Sequence, residues 1–91
     1  MDKGVEPEIA SRISAAARSV DAVLAIEKLK VRRSGTRLFV DLHVQADPAM
    51  SLHEAHVLSG KVKGAIMRQV PAVQSVLVHM EPHEPHSAGG G

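Results

Sequence analysis

This 91-residue chain contains no cysteine, tryptophan or tyrosine, and Phe39 is its one aromatic side chain apart from histidine. Without cysteine there is no disulfide framework, no thiolate nucleophile and no thiolate zinc finger, so any metal site must use His, Asp or Glu. The near absence of aromatics removes the platforms on which single-stranded bases stack. Charge of one sign is also missing: eleven Lys and Arg offset ten Asp and Glu, leaving a formal +1. That balance is far from the basic footprint of a nucleic-acid binder, and nucleic acid is excluded as a partner. No apolar run approaches the ~20 residues that span a bilayer, and the start MDKGVEPE lacks the apolar stretch of a secretory signal. The expectation is a soluble, intracellular chain.

What is present is an aliphatic core in a single domain. Hydrophobic residues make up 44% of the chain, enough for a two-layer core, although a domain of this size gains stability from a second copy. Ile9, Ile13, Ala16, Ala17 and Val20 recur at the 3.6-residue period after Pro7, which predicts an amphipathic helix with Glu6 and Glu8 favourably placed at its start. Leu24 to Arg33 and Thr36 to Ala46 read as two strands of a hairpin joined at Ser34-Gly35. Ser51 and Glu54 match a capping box after the Asp47-Pro48 break, predicting a second helix over 52–69. Its expected buried face is Leu52, Ala55, Ser59, Val62 and Ile66, and Pro71 ends it. Val73 to Glu81 reads as a third strand. The order α-β-β-α-β predicts an α+β fold, a three-stranded sheet with two helices on one face. Residues 1–82 form the domain, and the Pro-, His- and Gly-rich residues 83–91 are expected to be a disordered tail.

Six histidines are many for such a chain, and five of them, His53, His56, His79, His83 and His86, lie in its C-terminal half. Side chains alternate across a strand, so Phe39, Asp41, His43 and Gln45 share one face of the second strand, opposite Leu38, Val40, Leu42 and Val44. The same parity puts Leu77, His79 and Glu81 on the helix-free face of the third strand. In the first strand Glu27 joins them, although LAIEKLKVRR alternates poorly after Lys28. Two imidazoles with nearby carboxylates suit zinc or a similar divalent transition metal. Taken singly, each histidine reads equally as solvated surface. Phe39 and Leu77, apolar on that face, suggest contact with a partner chain. His53 and His56 are three apart on the second helix and lie on or near its exposed side.

The string VDLHVQADPAMSLHEAHVLSGKVKGAIMRQVPAVQSVLVHMEP, extended upstream by VDAVLAIEKLKVRRSG, resembles the cytoplasmic C-terminal domain of the cation diffusion facilitator family of divalent-metal transporters. The resemblance covers about residues 8 to 82. It implies a metallochaperone-like fold, a homodimer, and cytoplasmic metal binding that draws the protomers together and so regulates a membrane portion. It places the metal ligands on His43, His79 and Glu81, with His56 as a further position and Glu27 where the family carries a first-strand ligand. Zinc is the first expected ion, but carboxylates in place of imidazole harden such a site and leave the choice open to manganese, iron, cobalt, nickel and cadmium. The second reading is a standalone metal buffer or chaperone of the same fold. An enzyme using Asp41 and His43, or His79 and Glu81, as an acid-base pair lacks any accompanying nucleophile or phosphate-binding motif. A dimerising domain without a ligand would explain Phe39 and Leu77 but not the clustered histidines.

Overall fold

A computed structural model describes residues 5–85. It contains α1 (Pro7–Arg18), β1 (Ala25–Ser34), β2 (Arg37–Ala46), α2 (Leu52–Gln69) and β3 (Val73–Pro82). The sheet order is β1-β2-β3, with β1 and β2 antiparallel and β2 and β3 parallel. The central strand is therefore the one with the cleanest alternation. Leu38, Val40, Leu42, Val44 and Ala46 are buried, and the residues between them are partly exposed or exposed. Both helices cover the buried face, and Ile13, Ala16 and Ala17 of α1 join Leu58, Val62 and Ile66 of α2 in one core with the sheet.

The helices form where local signals favour them. Pro7 opens α1, where its missing N–H costs nothing, and Glu8 and Arg18 complement the helix dipole. Helix α2 begins on a complete capping box: Glu54 N–H donates to Ser51 Oγ (3.0 Å) and Ser51 N–H donates to Glu54 Oε1 (2.9 Å). At its other end Arg12 Nη2 donates to the Gln69 carbonyl (2.7 Å), so α1 satisfies one of the free acceptors of α2.

Two expectations shift in detail. The hairpin loop is Gly35-Thr36, not Ser34-Gly35, because Ser34 pairs with Arg37. Gly35 takes φ +61° at the first loop position, which fits the II′ class of tight hairpin. The buried stripe of α2 is Leu58, Val62, Ala65 and Ile66, whereas Leu52 is 92% exposed. At 100° per residue Leu52 lies about 80° around the helix from Val62, and as the first helical residue it overhangs the core.

The weak alternation of β1 has a structural cause. Its register with β2 shifts between Glu27 and Lys30, and Lys28 adopts φ +53°. Ile26 pairs with Val44 and Val31 with Val40, so two inward residues are separated by an odd number of positions. A β-bulge absorbs the extra residue. It keeps Val31 fully buried while leaving Glu27, Lys30 and Arg32 on the helix-free side.

Between α1 and β1, Val23 N–H donates to the Val20 carbonyl (3.2 Å) around Ala22, whose φ is +76°. A Cβ is disfavoured at that turn position. Ala22→Gly should therefore stabilise the fold by up to ~1 kcal/mol, measured as a raised urea midpoint with unchanged slope. The capping box also holds the Glu54 carboxyl below its usual range, chiefly through the hydrogen bonds with Ser51. Ser51→Ala should destabilise the domain by ~1 kcal/mol. In that variant the Glu54 titration, followed by carboxyl carbon NMR, should move up only part of the way, because the larger contribution, the Ser51 backbone N–H, is retained. Unchanged stability together with an unchanged midpoint would show that Ser51 Oγ does not cap α2 in solution.

Candidate metal centre

The helix-free face of the sheet gathers the ionisable groups. In the register, His43 of β2 lies opposite Glu27 of β1 and beside His79 of β3, and Gln45 pairs with Glu81. Adjacent parallel strands bring the two imidazoles into a stack with ring centroids 4.5 Å apart and planes 15° from parallel. Each ring carries a carboxylate partner. His43 Nδ1–H donates to Glu81 Oε2 (2.6 Å), and His79 Nε2 lies 2.9 Å from Asp41 Oδ1 as an ion pair. A carboxylate only accepts, so the hydrogen bond to Glu81 sets the neutral tautomer of His43, which keeps a lone pair on Nε2.

Asp41, His43 and His79 each offer one ligand atom, all within 4.8 Å of one another. Ligand atoms on one tetrahedral zinc are about 3.4 Å apart at zinc bond lengths near 2.0 to 2.1 Å. The cluster therefore needs contraction of about an ångström, within reach of side-chain rotation. Three protein ligands leave at least one coordination position for water or for a group from a second chain. The donor set fits a borderline divalent transition metal better than magnesium, which favours oxygen ligands and retains water.

The residues expected as ligands are thus distributed over different roles. His43 and His79 come together in the cluster. Glu81 sits on His43 Nδ1 at its edge, and its carboxyl is held below the usual range first by that hydrogen bond, with lesser help from Gln45 and from the charges of His43 and Lys28. Glu27 faces His43 in the register, but its Oε1 accepts from Gln45 Nε2 (2.9 Å) and not from an imidazole. His56 is exposed on α2, in the layer on the other side of the sheet. Asp41, which strand parity placed among the carboxylates of this face but which the resemblance did not assign as a ligand, completes the cluster. His83, assigned to the tail, extends the ladder: its N–H donates to the Ala46 carbonyl (2.8 Å) and its Nδ1–H to Gln45 Oε1 (2.9 Å). His86 and the rest of the expected tail lie outside the described residues.

Removing the donor from Glu81 gives a direct test of the paired arrangement. In His43→Ala the Glu81 carboxyl should titrate at a higher pH than in the parent chain, read by carboxyl carbon NMR. The sign follows from linkage. A carboxyl lowered in the folded state contributes stability above the unfolded glutamate value, about 4.5, and that stability is lost as pH falls through the lowered folded value. His43→Ala should therefore flatten the acid side of the stability profile. Equal Glu81 midpoints in both chains would mean that the pair is not populated.

Comparison with known proteins agrees with this fold. The family model described as "Cation efflux protein, cytoplasmic domain" matches residues 5–83. Among curated proteins, the chain is 32% identical over 82 residues to the cation-efflux pump FieF of Yersinia pestis, covering 90% of this chain and 27% of that protein. It is 26% identical over 83 residues to the manganese efflux system protein MneP of Bacillus subtilis, covering 91% and 28%. The chain thus spans about a quarter of the length of these relatives. Among solved structures, a single-substitution form of the MamM C-terminal domain superimposes with TM-score 0.82 at 26% identity, covering 85% of this chain and 96% of that one. A nickel form of the same domain, at 24% identity and TM-score 0.83, covers 87% of this chain and 100% of that one and shares the fold. The chain belongs to the cation efflux protein family, whose cytoplasmic domain it matches over almost its whole described length.

Proposed function

We propose that this domain is a homodimeric regulatory module that binds a divalent transition metal, zinc foremost, on its helix-free face and controls efflux by a membrane portion of the kind its longer relatives carry. The observation that carries the reading is the cluster of Asp41, His43 and His79 on a sheet face that no helix covers. Glu81 and Glu27 border it, and His56 supplies a separate position on the helix layer. Residues 1–82, with His83 anchored to Ala46 at the sheet edge, serve as the binding unit, and the residues after it as a tail. The manganese named for MneP supports a divalent metal as ligand.

The same face explains how binding reaches the dimer. Leu77 is 55% exposed beside the cluster, and Phe39 lies half-buried near it, beneath the Arg32 guanidinium at 5.3 Å. An apolar pair next to carboxylates suits contact with a second copy that approaches this face. There, Glu27, Asp41 and Glu81 of the two protomers repel one another. A cation held by groups from both copies removes that repulsion and favours the closer arrangement. Moving two states from 1:99 to 99:1 takes about 5.5 kcal/mol, well inside the ~10 to 16 kcal/mol of structural zinc sites.

Two measurements test this reading. Calorimetric titration should show zinc binding at the sheet-face site that His43→Ala with His79→Ala removes, whereas His53→Ala leaves it unchanged because His53 is exposed on α2. Label-to-label distances across the dimer should shorten on saturation with Zn²⁺ and stay unchanged with Mg²⁺. A dimer of constant dimensions in saturating zinc would contradict control by closure and favour a metal buffer. Undiminished binding in the double variant would remove the site itself.

A further inference from the structure

One side chain beside the cluster makes more polar contacts than its place on the strand requires. Gln45 follows His43 on the same face of β2, and its amide touches three groups from three segments. Its Nε2 donates to Glu27 Oε1 of β1 (2.9 Å) and, at longer range, to Glu81 Oε1 of β3 (3.4 Å). Its Oε1 accepts from Nδ1–H of His83 (2.9 Å). An amide nitrogen has two hydrogens and the amide oxygen has none. The orientation is therefore decided by its surroundings: turned over, the amide would aim its oxygen at two carboxylates.

The contacts continue into the metal centre. Glu81 uses Oε1 towards Gln45 and Oε2 towards His43 Nδ1, so both of its oxygens are engaged. The line runs from the His83 imidazole through the Gln45 amide and the Glu81 carboxylate to His43. His83 is itself tied down by its backbone bond to Ala46. A histidine that ligates a metal through one nitrogen generally donates its other N–H to a carboxylate, which fixes ring orientation and tautomer. Here that carboxylate is Glu81, and Gln45 is what restrains it.

We propose that Gln45, held by His83, is a positioning residue: it bridges Glu27 and Glu81, keeps Glu81 on His43 Nδ1, and so leaves the His43 Nε2 lone pair available to a divalent cation. The effect on affinity rests on the metal-binding reading above, whereas the effect on the His43 tautomer does not. Neutrality at position 45 is part of the device. Gln45→Glu would keep the shape but replace two donated hydrogens with a third carboxylate among Glu27 and Glu81. Gln45→Met keeps the length of the side chain and removes the amide.

The test uses the whole chain. In the metal-free protein at about pH 8, above the ordinary imidazole range, long-range nitrogen-proton NMR reads the tautomer of each histidine. The parent chain should show His43 with its proton on Nδ1. Gln45→Met should shift His43 towards a mixture with the Nε2–H form while His79, paired with Asp41, stays as it was. Calorimetry with Zn²⁺ should show affinity about tenfold or more lower, the effect common for groups that orient a metal-bound histidine. His83→Ala should move both readouts in the same direction by less, and it decides the matter if Gln45→Met does not fold. Either readout remaining at the parent value in the folded variant overturns the proposal. Should the parent chain bind no zinc, the metal-binding reading fails and the tautomer alone decides the role of Gln45.

Discussion

Strand β2 is hydrogen-bonded on both edges, so its backbone is satisfied and each of its side chains is committed to one of two sides. One side must be dry, because Leu38, Val40, Leu42, Val44 and Ala46 are the floor on which both helices pack. The other side is thereby left free of helices, and every residue between those five is delivered to it. Asp41, His43 and Gln45 occupy that face as a direct consequence of burying their neighbours. A slip of one residue in the register of β2 would bury the polar row and expose the aliphatic one. Core stability and the placement of the candidate metal centre thus depend on the same alternation, and a substitution that loosens the floor also displaces the clustered side chains.

The flanking strands adapt to β2 in different ways. Strand β3 runs parallel to it and, past a register shift between Leu38 and Phe39, pairs in step from Phe39 to Ala46, which sets His79 beside His43. Strand β1 needs a bulge, and Lys28 occupies its left-handed position even though glycine is favoured there. The bulge lets Ile26 and Val31 both turn inward and still leaves Glu27 beside the histidines. Local backbone strain at one lysine therefore reconciles a continuous core with an acidic border to the site.

The polar groups of the exposed face are balanced without any cation. Each imidazole has a carboxylate partner, and the two glutamates at the far end share one amide. Among the described residues no buried side-chain nitrogen or oxygen lacks a hydrogen-bond partner. Such a face is stable as it stands and can exchange those hydrogen bonds for metal bonds with small movements.

What the sequence determined by itself is whatever depends on near neighbours along the chain. The 3.6-residue spacing from Ile9 to Ala17, the Ser51 and Glu54 cap and the alternation of β2 are local, and each appears in the structure where it was expected, although α1 ends at Arg18 and leaves Val20 beyond it. The inner and outer assignment of His43, His79, Glu81 and Glu27 followed from the same periodicity. Contacts between strands were decided only by the tertiary structure. Whether Glu81 meets His43, whether Asp41 rather than Glu81 joins both imidazoles in the cluster, and whether Glu27 reaches a histidine or Gln45 all depend on register across β1, β2 and β3. That register is set by packing of the aliphatic floor and by the bulge at Lys28, which no local pattern announces beyond a lapse in alternation. The anchoring of His83 was hidden for the same reason: a Pro- and Gly-rich composition reports a weak local preference, while an unpaired Ala46 carbonyl at the end of a neighbouring strand supplies the bond that overrides it.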